Sequence, residues 1–482
     1  MRCVTNATLR AGHACSPRRE MLNLAVADAA TRKACMCASN DGNRLIAVRK
    51  PHCPAGYTEA TGLVGVNVFE ALWCGSPGMR SPCNYMQVLE ALRFLAASGI
   101  RFFRFFASLY GPSQDEWLKE PKRFWRHFDR LMNDVQVLGL QVIPSIGAES
   151  WHEVANRWSH ACNEVNFFCA LEPAQHAVIA KSPLNNRGRY HPESVNDLVN
   201  NRSSLARKLA VRYTEELVRR YRDRPAVLFW ELGNELNLQV NAHAGCGIPH
   251  GGGPDAHCFN NSAMVEYTRD LVDAIRRADS LRPVSSGFGQ TRPTAWHQER
   301  CRHSHSGECA NGGEGKIDTM EQWQEMVRFQ NEAVDIASLH AYDGARGCWF
   351  GRGRASNVST GCHRQSNMSV IEAAAVAVDA VGKPLYIGEY GGPPPNFTGP
   401  SVEHQAFPRA LLNWQVEQQQ RGRRARLRTL SSIWGWMCPA KRDSMRCIWG
   451  TNSTEWRSGE EGSIRMLQML RWARKQIEGP PA

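Results

Sequence analysis

Val227-Leu228-Phe229-Trp230-Glu231-Leu232-Gly233-Asn234-Glu235 is an apolar run, broken only by Glu231, that ends on a glycine and two polar residues. It reads as a buried strand feeding a turn that carries chemistry. A second stretch, Pro384-Leu-Tyr-Ile-Gly-Glu389-Tyr-Gly-Gly392, has the same design. Working outward from these two, short apolar runs alternate with helical patterns from about Thr61 onward, which argues for a parallel sheet with crossover helices. Candidate strands are Leu63 to Phe69, Phe102 to Phe106, Gln141 to Ile146, Val227 to Glu231, Val284 to Phe288, Ile336 to His340, Leu385 to Glu389 and Ser432 to Trp436. Each is followed by a plausible helix. The first helix is expected to bury Met86, Leu89, Leu92 and Leu95, and the last, from about Ser463 to Ile477, carries Ile464, Leu467, Leu470 and Trp472. Eight βα units predict an α/β fold of the closed (β/α)8, or TIM-barrel, kind.

Composition bounds the rest. The 482 residues are 42% hydrophobic and 22% charged, and no window reaches the roughly 18 uninterrupted apolar residues of a membrane span. The net charge of +12, from 58 basic and 46 acidic residues, describes an Arg-rich surface more than a function. Seventeen cysteines are too many for a reducing cytosol. Twelve fall into six close-set couples: Cys74 and Cys83, Cys162 and Cys169, Cys246 and Cys258, Cys301 and Cys309, Cys348 and Cys362, and Cys438 and Cys447. Each couple follows a candidate strand, so the reading is local disulfides stapling the βα loops on one face. Residues 1–60 stand outside the barrel rhythm and form a Cys-containing extension, with Cys3, Cys15, Cys35, Cys37 and Cys53, that either covers the bottom of the barrel or lacks fixed structure; 61–482 make the barrel domain. Seven Asn-x-Ser/Thr sequons, at Asn6, Asn201, Asn260, Asn357, Asn367, Asn396 and Asn452, agree with passage through a secretory pathway. Met1-Arg-Cys-Val-Thr-Asn-Ala is too polar for a signal core, so a signal is expected to have been removed or to be missing from the sequence.

In a βα barrel the loops after the strands build the site, and Glu235 and Glu389 both stand at such ends. Facing carboxyl groups are what cleavage of a glycosidic bond requires, one to protonate the leaving oxygen and one to attack; a separation of about 5 to 5.5 Å fits a retaining double displacement. Glu235 is the expected acid/base, kept protonated by burial and the neighbouring charge of Glu389, and Glu389 the expected nucleophile. Arg104 is placed to donate a fork of hydrogen bonds to Glu389, with His340 and Tyr342 at another strand end. Asn234 is placed to bind a sugar hydroxyl, and Trp434 and Trp436 to offer a flat platform for a pyranose ring.

Taken together these positions resemble the retaining endo-β-glycosidases of glycoside hydrolase family 5, within the clan of (β/α)8 enzymes that place Asn-Glu after strand four and Glu after strand seven. The resemblance spans about Gly62 to Ile477. Gly65-Val-Asn67 looks like the family's first-strand start, Arg104 its second-strand arginine, Asn234-Glu235 its acid/base pair, His340-x-Tyr342 its strand-six signature, Glu389 its nucleophile and Trp434 its strand-eight tryptophan. The sequence departs from the pattern after strand three, where only Trp151 and His152 stand near the usual polar motif, and in Asn-Glu-Leu-Asn237 where many relatives read Asn-Glu-Pro. Among members, the long loops after strands four and six and the phrase around Trp230 are most similar to endo-β-mannanases.

Blander readings hold elsewhere. Glu231 reads as a structural carboxylate. His303 and His305, between Cys301 and Cys309, together with Cys35-x-Cys37 and His243, His250 and His257, lack zinc-finger spacing and read as solvated or disulfide-tied loops, so no metal site is expected. The run from Arg421 to Arg428 reads as a solvated connection, not a nucleic-acid site. Trp73, Trp151 and Trp349 serve equally as sugar platforms or as loop plugs. The expectation is a secreted, monomeric retaining endo-β-glycosidase with a polysaccharide substrate, β-1,4-mannan first, and no cofactor; a β-glucanase or cellulase of the same family and a silent carbohydrate-binding barrel are the alternatives.

Overall fold

Eight short apolar runs pair side by side in the computed structural model, which describes residues 34–39, 45–50, 53–59, 63–72, 74, 84–107, 117, 120–147, 199–203, 205–240, 259–301, 309, 316–342, 350, 367–391, 406–421, 429–433, 436–437, 455–456, 468 and 471–472. A three-stranded antiparallel sheet comes first: β1 (Cys35–Ser39), β2 (Leu45–Val48) and β3 (Tyr57–Glu59). Then come β4 (Leu63–Asn67), β5 (Phe102–Phe106), β6 (Gln141–Ser145), β7 (Trp230–Glu231), β8 (Val284–Ser285), β9 (Ala337–Tyr342), β10 (Leu385–Gly391) and β11 (Thr429–Ile433). These eight form one parallel sheet in the order β8-β7-β6-β5-β4-β11-β10-β9. Its two ends meet through a parallel bridge between Ser285 and Ile336, supported by hydrogen bonds from Ile336 N to the Val284 oxygen (3.0 Å) and from Ser286 N to the Ile336 oxygen (3.4 Å).

Helices lie between the strands: α1 (Tyr85–Ala97), α2 (Pro121–Val137), α3 (Leu205–Tyr221), α4 (Asn261–Ala278), the short α5 (Ala295–Arg300), α6 (Met320–Gln330), α7 (Asn367–Asp379) and α8 (Ala406–Arg421). Asn84 caps α1 in a reciprocal box with Gln87, and Thr319 does the same for α6 with Gln322. The buried face of α1 differs from the expected one: Tyr85, Val88, Ala91, Leu92 and Leu95 are buried while Met86 is exposed. Tyr85 and Val88 complete the three-and-four spacing with Leu92 and Leu95 that Met86 does not. In the last candidate helix Gln468, Arg471 and Trp472 are helical and exposed, and Arg471 donates to the Ser98 oxygen (3.0 Å).

Side chains of successive strand residues go to opposite sides. Outward residues such as Val64, Phe103, Phe105, Val142, Leu339 and Ile387 pack under the helices in the main core. A smaller inner cluster, Phe102, Ile143, Leu228, Phe229, Ile336 and Tyr386, fills the inside of the sheet, and Ala34, Leu45 and Ala47 of the N-terminal sheet join it. Leu45 also exchanges hydrogen bonds with the Gln141 side chain (3.1 and 2.7 Å), and Arg49 bonds to Asp335 (3.0 Å), so the extension sits where the strands begin. Disulfides join Cys37 to Cys53 and Cys301 to Cys309, and Cys74 is also disulfide-bonded. The other cysteine couples lie outside the described residues, at one or both members. Among the described residues, no helix is long and apolar enough to cross a membrane.

Candidate active site

The strand period carries polar residues inward above the inner cluster. Asn67 on β4 stands in register with Arg104 on β5, and His340 on β9 with Glu389 on β10. β10 contains a bulge, since its register with β9 shifts between Ile387 and Glu389. The extra residue is Gly388, and the bulge re-aims Glu389 toward Arg104. Glycine is required there by space: a Cβ would stand 2.7 Å from His340 Nε2 and 3.2 Å from Ser338 Oγ.

Arg104 is fully buried and organises the site. Its Nε donates to Glu231 Oε1 (2.7 Å), Nη1 to Glu389 Oε1 (2.8 Å) and more weakly to Asn67 Oδ1 (3.4 Å), and Nη2 to Asn234 Oδ1 (2.8 Å). The expected fork on Glu389 is therefore spread over four acceptors. Burial works against the charge of Arg104, but Glu231 first and Glu389 second outweigh it and hold the guanidinium above its ordinary pKa. Asn67 in turn donates Nδ2 to the Gly388 oxygen (3.1 Å), fastening the bulge. With Oδ1 of Asn234 held by Arg104, the Asn234 NH2 group is turned away from the arginine as a donor.

Glu235 reaches the same space from the turn after β7. Its φ of 53° is the one positive value outside glycine among the described residues, a conformation that costs energy and collects at functional sites. Its N–H donates to the Gly287 oxygen (2.7 Å), and Gly287 itself has φ +67° with no room for a Cβ beside the Gly233 oxygen. His340 Nδ1 lies 2.9 Å from Glu235 Oε1 and 3.5 Å from Glu389 Oε1. One carboxylate oxygen from each glutamate and a ring nitrogen of His340 all fall within 4.8 Å of one another. By distance alone that trio fits a divalent cation. Arg104, fixed 2.8 Å from Glu389, opposes a second positive charge there.

Of the sequence-predicted residues, Arg104, Asn234, Glu235, His340 and Glu389 are brought together. β11 ends at Ile433, three residues before the expected end at Trp436, and Trp434 lies outside the described residues together with the side chains of Tyr342 and Trp436. Trp73, Trp151, His152 and Trp349 also lie outside them. Three residues gain roles that sequence reading did not give them: Glu231 as a partner of Arg104, Asn67 as the tie to the bulge, and Asn237 as a clamp on the segment after β8. The polar break that Glu231 makes in an apolar run was the signal for the first.

The described residues form a parallel βα fold with two carboxylates, a histidine and a buried arginine at the strand ends. Solved structures with this fold include the glycoside hydrolase family 5 mannosidase from Rhizomucor miehei (TM-score 0.53, 11% identity, 93% of this chain and 98% of that one). They also include an endo-1,4-beta-mannanase from Rhizomucor miehei (0.50, 13%, 89% and 99%) and the endo-beta-1,4-mannanase from Thermotoga petrophila (0.50, 15%, 86% and 77%). At these identities the likeness establishes the fold. No family model and no curated protein sequence matches the chain.

Proposed function

We propose that the chain is a secreted (β/α)8 glycoside hydrolase of family 5 that cleaves a β-linked polysaccharide, β-1,4-mannan first, with retention of configuration. The observation that carries the reading is the approach of Glu235, Glu389 and His340 to within 4.8 Å beside a buried Arg104. Carboxyl groups this close leave no room for a water between nucleophile and sugar, which favours a double displacement over inversion.

Glu389 attacks the anomeric carbon while Glu235 gives its proton to the glycosidic oxygen, so the C–O bond breaks, an ester to Glu389 forms and the alcohol leaves. Glu235, now a carboxylate, takes a proton from water, whose oxygen displaces Glu389 and completes retention. Arg104 fixes one oxygen of the nucleophile and, as a cation beside it, favours its ionised form. His340 orients Glu235, and Asn234 offers its NH2 group to a sugar hydroxyl. Tyr342, Trp434 and Trp436 are assigned to further sugar contacts. The chemistry needs no metal or cofactor. Disulfides and sequons support an extracellular glycoprotein, and residues 1–60 are assigned as an extension to a catalytic domain at 61–482 that acts as a monomer.

The test is reducing-end release from β-mannan, glucomannan, cellulose, mixed-linkage glucan and β-1,3-glucan. Glu235→Gln is expected to lose about 10²- to 10⁴-fold on polymer, and Glu389→Gln more. Activity on glucans alone overturns the substrate, and folded protein silent on every polymer while still binding one overturns catalysis.

A further inference from the structure

The stretch around Glu235 is fastened at a ladder of points to the end of β8 and the segment that follows it. Leu232 N donates to the Ser285 oxygen (2.9 Å) and Glu235 N to the Gly287 oxygen (2.7 Å). Asn237 supplies the next rung with a side chain: Oδ1 accepts from Gly289 N (2.9 Å) while Nδ2 donates to the Gly289 oxygen (3.0 Å). The same Nδ2 reaches Gln330 Oε1 (3.3 Å), which also accepts from Thr291 Oγ1 (2.8 Å), and Gln330 Nε2 donates to Asn261 Oδ1 (2.7 Å). All four side chains are buried. Through them the acid-bearing turn is tied at once to the segment after β8, to the start of α4 and to the end of α6. A left-handed glutamate persists only where its surroundings over-determine it.

We infer that Asn237 and Gln330 are positioning residues for the acid/base, holding Glu235 in its left-handed conformation beside His340; this rests on the reading of Glu235 as the acid/base. Neither touches the reacting atoms. Their effect therefore falls on one event, delivery of the Glu235 proton to the leaving oxygen. A sugar or phenol leaves poorly as an anion and needs that proton. A dinitrophenol leaves as the phenolate when Glu389 bonds to the anomeric carbon, and the proton stays on Glu235.

The experiment compares kcat/KM for phenyl and dinitrophenyl β-mannobiosides, with the matching β-cellobiosides where mannosides are not cleaved, on the full chain and on Asn237→Ala, Gln330→Met, Glu235→Gln and Tyr85→Phe. The last removes only the Tyr85–Asp134 hydrogen bond (2.5 Å) between α1 and α2 and serves as the stability control. All are assayed at a temperature where circular dichroism shows them folded. Asn237→Ala is expected to lose about a hundredfold on the phenyl glycoside, as a displaced catalytic group does, and less than about tenfold on the dinitrophenyl one. Gln330→Met should show the same selectivity with a smaller loss, and it carries the comparison alone if Asn237→Ala does not fold. A loss equal for both leaving groups, or none, while Glu235→Gln remains selective overturns the positioning role and spares the acid assignment. Loss of selectivity in Glu235→Gln itself overturns both.

Discussion

Arg104 carries one positive charge and faces two buried carboxylates, Glu231 at 2.7 Å and Glu389 at 2.8 Å. Glu231 holds the guanidinium from below through Nε, so that Nη1 and Nη2 point at Glu389 and Asn234. The pair is fully desolvated, and removing one partner of such a pair leaves an under-compensated charge. Glu231→Gln is therefore expected to destabilise the fold by about 3 kcal/mol, the low end of the range for a broken buried pair because Glu389 remains. On the proposed mechanism it should also lower kcat with little change in KM, since the arginine loses its anchor and Glu389 its fixed orientation. Thermal unfolding followed beside steady-state kinetics checks both; an unchanged melting temperature removes the claim that Glu231 is the anchor. Glu231 was legible in sequence as a buried carboxylate but not as this partner. The arginine it meets is 127 positions away, and a lone acid in an apolar run does not name its counterion.

At the scale of elements, the strands were legible because each is a short apolar run, and all eight candidates overlap a strand of the sheet. What the sequence does not carry is the register along them. Strict alternation from Tyr386, which faces the inner cluster, turns Glu389 outward; only the bulge at Gly388 restores it, and nothing local in Ile387-Gly388-Glu389 requires a bulge over a plain strand glycine. β11 lies three residues earlier than expected because Thr429, Leu430 and Ser431 pair with Leu385, Tyr386 and Ile387, a long-range match that local apolarity does not reveal. A further tie between elements is open to test. Asp279 follows α4 and accepts from Trp230 Nε1 on β7 (3.0 Å) and from Arg282 Nη1 (2.9 Å). Burial disfavours its charge, but the bonds from Trp230, Arg282 and the backbone N–H groups of Leu281 and Arg282 prevail and hold its pKa below the ordinary carboxylate value. A carboxylate depressed in the folded state stabilises above its unfolded pKa, and that contribution drains away as the pH falls through the folded one. Asp279→Asn should thus be less stable than the parent at neutral pH, with the gap closing below about pH 4. Urea midpoints across the acid range measure this, and a constant gap removes the linkage.

For the whole molecule, the two ends of the strands divide the work. The carboxyl ends carry Glu235, Glu389 and His340, while the amino ends are sealed by the extension, whose Ala34, Leu45 and Ala47 complete the inner cluster with Phe102, Ile143 and Tyr386. Sequence reading left open where residues 1–60 sit; the contacts that place the described part of them, Leu45 with Gln141 and Arg49 with Asp335, cross 96 and 286 positions. The Cys37–Cys53 disulfide closes a separation of 16 residues within this seal. A loop of that size contributes about 3 kcal/mol when cross-linked, chiefly by restricting the unfolded chain. The double variant Cys37→Ser, Cys53→Ser should accordingly unfold at a lower temperature. Its kcat at 25 °C should match that of the parent, because the described residues of the extension meet the inner cluster and the strand beginnings and, among the described residues, none of the contacts around Arg104. Differential scanning calorimetry and polymer assays on the same preparation read the two quantities. A fall in kcat at a temperature where the variant is fully folded would mean that the seal and the site are mechanically coupled through the inner cluster, and the division between the two ends would have to be abandoned.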